Sequence, residues 1–357
     1  MNTNMLEQLD KFKSYIGGLR FWIIFASVVI VIAGLKAASF LVNVLLLSAF
    51  VTSICLPFLE FLKKKKIPET LAIIIVILSL IILSGLMITI IGSSISSFID
   101  KTPYYEEKFH QFWTTTFKWL SDYNLVNQES FMKELHPKNF FSVLGGFLSG
   151  FGNVMTSLLL VLIIFIFMIF EASTYGRKLK LISPVSFTQS ADIRRRLSKY
   201  FGIKFITSFA TGLLVTIGLL IMGVDFPVLW GFIAFVLNFI PSIGSFIAAV
   251  PGVLLALIQL GPFGGLITAI IYFVINTLIG NIIEPQLMGR SLGLSPVIVF
   301  IAMVFWGYVL GPVGMLFATP LMIVIKIIFD SRPVTKDFGI LLSDEHQIRQ
   351  MEKERQL

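Results

Sequence analysis

Residues 227–258 read PVLWGFIAFVLNFIPSIGSFIAAVPGVLLALI, without one charged side chain. A membrane-spanning helix needs about 20 mostly apolar residues. This run is too long for one simple span, and Pro241-Ser242-Ile243-Gly244 interrupts it near the middle. Proline removes a backbone donor and clashes with the preceding turn, while glycine permits backbone conformations that a helix forbids. A second run, 295–329, has the same character and is broken at Gly311-Pro312-Val313-Gly314. The halves flanking each break are about 14–18 residues, a length suited to a re-entrant hairpin. A kinked, tilted single helix is the competing reading.

The two runs also resemble each other. Phe232-Ile233-Ala234 precedes the first break and Phe300-Ile301-Ala302 the second; Phe246 to Pro251 follows the first and Leu316 to Pro320 the second. Paired interruptions in two parts of a chain mark the central site of many secondary transporters. In hydrocarbon every backbone polar group must be satisfied within the protein. A broken helix is therefore tolerated where it is buried or lines a wet cavity, and there its free N–H and C=O groups become ligands.

The rest of the chain fits a membrane. Of 357 residues, 56% are hydrophobic and 13% charged, and the mean hydropathy is +0.90. Soluble domains carry about 25% charged residues, so this chain cannot cover a water-soluble globule. The net charge of +8 does not point to nucleic acid. Its basic residues cluster between apolar runs, at Lys63–Lys66 and Arg194–Arg196, as they do in cytoplasmic loops. The single cysteine, Cys55, rules out an internal disulfide and a cysteine-based zinc site.

The expected fold is an all-α polytopic bundle of about eight hydrophobic segments, two of them broken and forming a weak internal repeat. Residues 1–20 form a cytoplasmic N-terminus without the marks of a cleaved signal. Spans at 21–35, 40–62 and 70–92 follow. The segment 93–152 carries aromatic residues at helical spacing, Tyr105, Phe109, Phe112, Trp113, Phe117 and Leu120, then Phe140, Phe141, Leu144, Phe147, Leu148 and Phe151. It has no basic excess, which places it outside the cell. Its apolar stripes suggest helices lying along the membrane surface or packing on a neighbouring subunit. A fourth span at 153–171 leads into a basic cytoplasmic linker, 172–202. The core, 203–329, contains a fifth span at 203–223, both broken runs and the span 264–282. The tail, 330–357, is cytoplasmic, and Lys326 at its approach reads as a snorkelling side chain.

No enzyme or cofactor site is expected. His110, His136 and His346 lie outside the apolar runs and do not cluster, and the chain has no H-E-x-x-H or G-x-x-x-x-G-K-[ST] pattern. Lacking a phosphate cradle, transport would draw on an ion gradient or the solute's own gradient. Polar residues at membrane depth are the informative ones, because a central charge costs about 2.5–3.5 kcal/mol on insertion scales. The strongest cluster is Asn276, Asn281, Glu284, Pro285 and Gln286, then Gly289 and Arg290. Glu284 has the chemistry to bind a cation, carry a proton or pair with Arg290; a solvated helix-end carboxylate is the plainer alternative. Asn238 stands three residues before Pro241, within reach of the backbone freed by the break. Ser242, Ser245 and Thr319 add hydroxyls.

These residues carry a family resemblance. Asn238-Phe239-Ile240-Pro241-Ser242-Ile243-Gly244, Asn281-Ile282-Ile283-Glu284-Pro285 with Gly289, Leu294-Ser295-Pro296, Gly311-Pro312-Val313-Gly314 and Ala318-Thr319-Pro320 resemble the autoinducer-2 exporter family of bacterial membrane proteins, often called PerM-like. The match runs from about residue 15 to residue 330, with Ser242 and Ser295 where the family commonly has an aromatic residue and a histidine. The resemblance implies an oligomeric exporter of the cytoplasmic membrane with broken helices at its centre. Some members are assigned to export of autoinducer-2 and others to exchange of sodium or lithium for protons. The reading is thus a secondary transporter exporting a small polar solute, with cation/proton antiport as one rival and a membrane scaffold or regulator as another. Site residues are Asn238, Ser242, Ser245, Asn276, Asn281, Glu284 and Thr319; Pro241, Gly244, Pro285, Gly311, Pro312 and Gly314 are its breaks and hinges.

Overall fold

The computed structural model describes residues 22–122, 158–172, 184–241, 243–288 and 293–356, with single positions between 145 and 181. The N-terminal 1–20, the 140–151 stripe apart from Leu148, and Gly289, Arg290 and Ser242 lie outside the described residues. The described residues are helical and contain no strand. Helix α1 is Trp22–Ala37, α2 Ser39–Lys64, α3 Glu69–Asp122 and α4 Leu158–Ala172. Helix α5 is Pro184–Met222, α6 Pro227–Leu237 and α7 Gly244–Asn276. A π-helical stretch, Thr277–Ile283, joins α7 to α8, Glu284–Met288. Then come α9 Pro296–Leu310, α10 Pro312–Asp330, α11 Lys336–Leu341 and α12 Glu345–Gln356.

Among the described residues, five stretches are long and apolar enough to cross a bilayer, and four shorter helices are apolar too. Large aliphatic and aromatic side chains such as Ile82, Phe167, Ile221 and Phe273 stand exposed. A water-soluble chain does not carry so much apolar surface; here the bilayer covers it. This is an all-α membrane protein.

The run 227–258 folds back on itself. Helix α6 runs away from the turn at 223–226, and the first arm of α7 returns to it. At the near end, the Asp225 N–H donates to Gln259 Oε1 at 2.9 Å, and Gln259 Nε2 donates to the Gly223 carbonyl at 3.1 Å. At the tip, the Ser245 hydroxyl donates to Asn238 Oδ1 at 3.0 Å. The two pairings 225/259 and 238/245 fix an antiparallel hairpin. Its first helix has 11 residues, about 17 Å at 1.5 Å per residue. That is little more than half of a hydrocarbon core of about 30 Å, so the tip stops partway through.

Two sharper reversals follow. Gly261 takes φ 80°, ψ −175°, and divides α7 into antiparallel arms, 244–260 and 262–276. Gly311 takes φ 70°, ψ −154°, between α9 and α10. Each is followed by proline at the first helical position, where its missing N–H has no partner to lose. The backbone counterpart of Gly311-Pro312-Val313-Gly314 is therefore Gly261-Pro262-Phe263-Gly264, a closer match than 241–244. The α9–α10 pair packs so tightly that a Cβ on Gly307 would lie 2.7 Å from the Met315 side chain.

Helix α5 lies beside α6 with small residues in between. A Cβ on Gly212 would fall 2.7 Å from the Gly231 carbonyl oxygen, and one on Gly231 would fall 1.9 Å from Thr216 Oγ1. Such small-residue contacts let backbones approach in membranes. The N-terminus of α5 meets the C-terminus of α2, where Glu60 and Pro57 stand beside Arg194 and Arg195. Lys63–Lys66 and Arg194–Arg196 thus share one end of the bundle, called the basic end below.

Two expectations change here. Residues 95–122 are not a separate surface helix: they continue α3 without a break, because the apolar stripe of Phe98, Tyr105 and Phe109 keeps its period and stays buried. Tyr105 donates to Asp225 Oδ2 at 2.5 Å and Lys101 pairs with the same oxygen at 3.3 Å, tying α3 to the hairpin base. Lys326 does not snorkel. It is buried, and its ammonium donates to the Gly339 carbonyl at 2.9 Å and to Ser343 Oγ at 2.7 Å, clamping the C-terminal segment to α10.

Gly261 and Gly311 occupy a region that is essentially glycine-only and strained by about 1–3 kcal/mol for other residues. Gly261→Ala and Gly311→Ala should each lower stability by that amount in detergent thermal unfolding. Gly85→Ala, inside α3 with no neighbour within 4 Å, should instead be neutral or stabilising by up to about 1 kcal/mol.

Candidate functional site

The hairpin tip is held by its own residues. Asn238 Nδ2 donates to Ser208 Oγ on α5 at 3.0 Å, while Asn238 Oδ1 accepts from Ser245. One amide thereby ties the outgoing arm, the returning arm and α5 together. The tip N–H groups of Asn238, Phe239, Ile240, Ile243 and Gly244 all find carbonyl partners within 234–241. Gly244 is required by space, since a Cβ there would fall 1.8 Å from the Leu237 carbonyl oxygen. Asn238 is thus a brace for the break, and the expected free backbone is largely spent on closing the turn.

The charged centre lies next to this tip. Lys204 Nζ pairs with Glu284 Oε1 at 2.6 Å, with 6% and 14% of the two side chains exposed. Thr207 Oγ1 donates to Glu284 Oε2 at 3.2 Å. The carboxylate therefore has a partner on each oxygen. Its position depends on the π stretch just before it. An α-helix advances about 100° per residue, and a helix closed by i→i+5 bonds advances only about 80°. Seven π residues set Glu284 back by roughly a third of a turn, toward α5 and Lys204. π segments recur at functional sites.

Between the tip and the π stretch is a cavity of about 220 Å³. At about 30 Å³ per molecule, it is worth roughly seven waters, a small space for a solute. Asn238, Ser245, Asn276, Asn281 and Glu284 line it, together with Pro241. Lys204, Thr277 and Gly280 line it too and were not singled out from sequence. Lys204 had a usable signal: a lone lysine just inside an apolar run needs an anion at the same depth. Thr319 does not reach the cavity; it is buried beside Tyr200. Gly311, Pro312 and Gly314 do not reach it either. Their turn lies against α2, where Asn43 Nδ2 donates to the Leu310 carbonyl at 3.0 Å. Gly244 and Pro285 flank the site, Pro285 directly after Glu284.

Amides, hydroxyls and one neutralised ion pair can hydrogen-bond a small uncharged polar solute, or exchange the ammonium for another cation. Among the described residues, no three His, Cys, Asp or Glu side chains gather to hold a metal ion. Gly289-Arg290-Ser291-Leu292-Gly293 has the spacing of a hydrolase nucleophile turn. It follows α8, whereas that motif works on a strand-to-helix turn.

Fold-back hairpins, a polar cavity at the tip of one of them and a paired charge within the bundle make up the core of a polytopic membrane protein. The profile described as AI-2E family transporter matches residues 25–333, and the chain belongs to that family. It is similar to AI-2 transport protein TqsA of Escherichia coli K12, 30% identical over 333 residues, 92% of this chain and 97% of the relative. A Haemophilus influenzae protein, named as a transport protein, is 34% identical over 329 residues, 89% of this chain and 94% of the relative. YhhT of E. coli K12, also named as a transport protein, is 30% identical over 91% of this chain and 94% of the relative.

Removing one partner of a buried ion pair leaves an uncompensated charge and costs about 3–5 kcal/mol, while apolar replacement of both is close to neutral. Glu284→Ala should therefore destabilise the protein by about that amount. The double variant Lys204→Met/Glu284→Leu should regain most of the loss, as read by thermal unfolding in detergent.

Proposed function

We propose that this protein is a secondary transporter exporting a small polar solute of the autoinducer-2 kind. The observation that carries this reading is the small polar cavity between the hairpin tip and Glu284. Its volume suits a solute of few heavy atoms. Its lining offers amide and hydroxyl groups from Asn276, Asn281, Thr277 and Ser245, the partners a hydroxylated solute needs. The Lys204–Glu284 pair leaves the site without net charge. TqsA, a relative over nearly its whole length, is named as an AI-2 transport protein.

The basic end faces the cytoplasm in this reading, following the positive-inside rule, with both termini on that side. The re-entrant hairpin moves against α5 to give access alternately from each side. The exposed apolar flanks pack on lipid and on further copies of the chain.

A second reading rests on the ion pair. A carboxylate held by an ammonium at membrane depth can trade that partner for sodium or lithium while the lysine loses a proton. Such a protein is a cation/proton antiporter with Glu284 as the exchanging group.

Flux in proteoliposomes separates the two. Autoinducer-2 should move faster than in protein-free vesicles, and Asn276→Ala or Asn281→Ala should slow it by about 2–10-fold, the worth of one hydrogen bond. Sodium or lithium exchange for protons that is lost in Glu284→Gln, with no autoinducer-2 flux, would replace export by antiport. A scaffold would move none of these and would lose its function when 95–152 is deleted.

A further inference from the structure

The two arms of α7 meet along a seam with an unusual composition. Thr268 and Tyr272 stand on one face of the arm 262–276, four residues apart. They are 0% and 2% exposed, and neither hydroxyl has a hydrogen-bond partner among the described residues. The facing arm comes close only because it carries glycine: a Cβ on Gly252 would lie 2.7 Å from Tyr272 Oη. On the other arm, Gly265 has the same role, since a Cβ there would lie 2.9 Å from Leu257 Cβ. Two hydroxyls are thus enclosed together in an apolar bundle. A hydroxyl buried in this way gives up its hydrogen bonds to water and gains none in return.

The seam is continuous with the cavity. Thr268, Tyr272, Asn276 and Gly280 follow one another at four-residue steps on the same helix, and the π stretch brings Glu284 back into line with them. This line runs from the Gly261 turn, at the end of the bundle away from the basic end, to the Lys204–Glu284 pair. The cavity reaches only its lower half; above it the arms are closed.

We propose that the seam between the arms 244–260 and 262–276 is the occluded leg of the solute pathway, opening when the hairpin swings away from Thr268 and Tyr272. The inference rests on the transport reading above. In the open state the two hydroxyls meet water and solute, which is why polar groups stand at positions where leucine would pack better. The glycines let the arms close over them without a gap.

The test uses the full chain in proteoliposomes, with Cys55→Ala removing its one cysteine. Thr268→Cys is exposed to a membrane-impermeant methanethiosulfonate reagent, and Ile270→Cys, on the half-exposed face, is the control. Labelling of Thr268→Cys should be slow at rest and rise by about tenfold or more under a gradient of autoinducer-2 or sodium, a population shift toward the open state. Ile270→Cys should stay unlabelled. Tyr272→Phe should lower flux several-fold while its thermal midpoint holds or rises; a hydroxyl with a purely structural place would leave flux unchanged. If Thr268→Cys tracks the control while the parent carries flux, or Tyr272→Phe transports normally, the seam is not the pathway and the transport reading stands. A parent that moves neither probe overturns the transport reading and the seam with it.

Discussion

A peptide group inside a bilayer has no water to fall back on, so each N–H and C=O at membrane depth must meet a protein partner. The core of this molecule is arranged around that demand. Its chain reverses direction at 238–243, at Gly261 and at Gly311, and each reversal is closed differently. At 238–243 the backbone bonds to itself and one asparagine side chain holds both arms. At the two glycine turns, proline opens the next helix and supplies no N–H to satisfy. The reversals thus bring short helices into a bilayer with few loose ends.

One row of polar groups lies along one side of a single helix. The arm 262–276 and its π continuation carry Thr268, Tyr272, Asn276, Thr277, Asn281 and Glu284. In an unbroken α-helix this set would wind around the axis. The slower rotation of the π stretch keeps its end turned toward α5, where Lys204 and Thr207 hold Glu284. Local helix geometry and long-range electrostatics therefore support each other: the ion pair anchors the π stretch, and the π stretch makes the pair reachable. The hairpin tip, braced by Asn238 to α5, forms the other wall. The cavity between them exists because α5 holds both walls.

Both ends of the bundle are tied down. Asp225 joins the hairpin base to α3 through Tyr105 and Lys101. At the basic end, Lys326 holds the C-terminal segment, and the Ser295 N–H donates to the Leu342 carbonyl at 3.0 Å. Between these fixed points lies the hairpin 227–258, about half a membrane deep.

Hydropathy made the membrane, the helices and the breaks legible along the chain, because a spanning segment is a local property: about 20 apolar residues in a row. Proline and glycine marked the interruptions for the same reason, since their backbone limits travel with the residue. Much of the cavity lining was legible too, in Asn238, Ser245, Asn276, Asn281 and Glu284, as polar side chains in apolar surroundings. What sequence could not supply was pairing. Glu284 has a neighbour in Arg290 along the chain, yet its partner is Lys204, eighty positions away. The turn at 311–314 looks like the mate of 241–244, yet it packs on Asn43 and leaves the cavity to others. The fold-back of 227–258 depended on Gln259 reaching Asp225, and the continuation of α3 past residue 95 on packing against the hairpin base. Which distant groups neutralise or brace one another is set by the packing of whole helices, and a one-dimensional pattern carries no record of that.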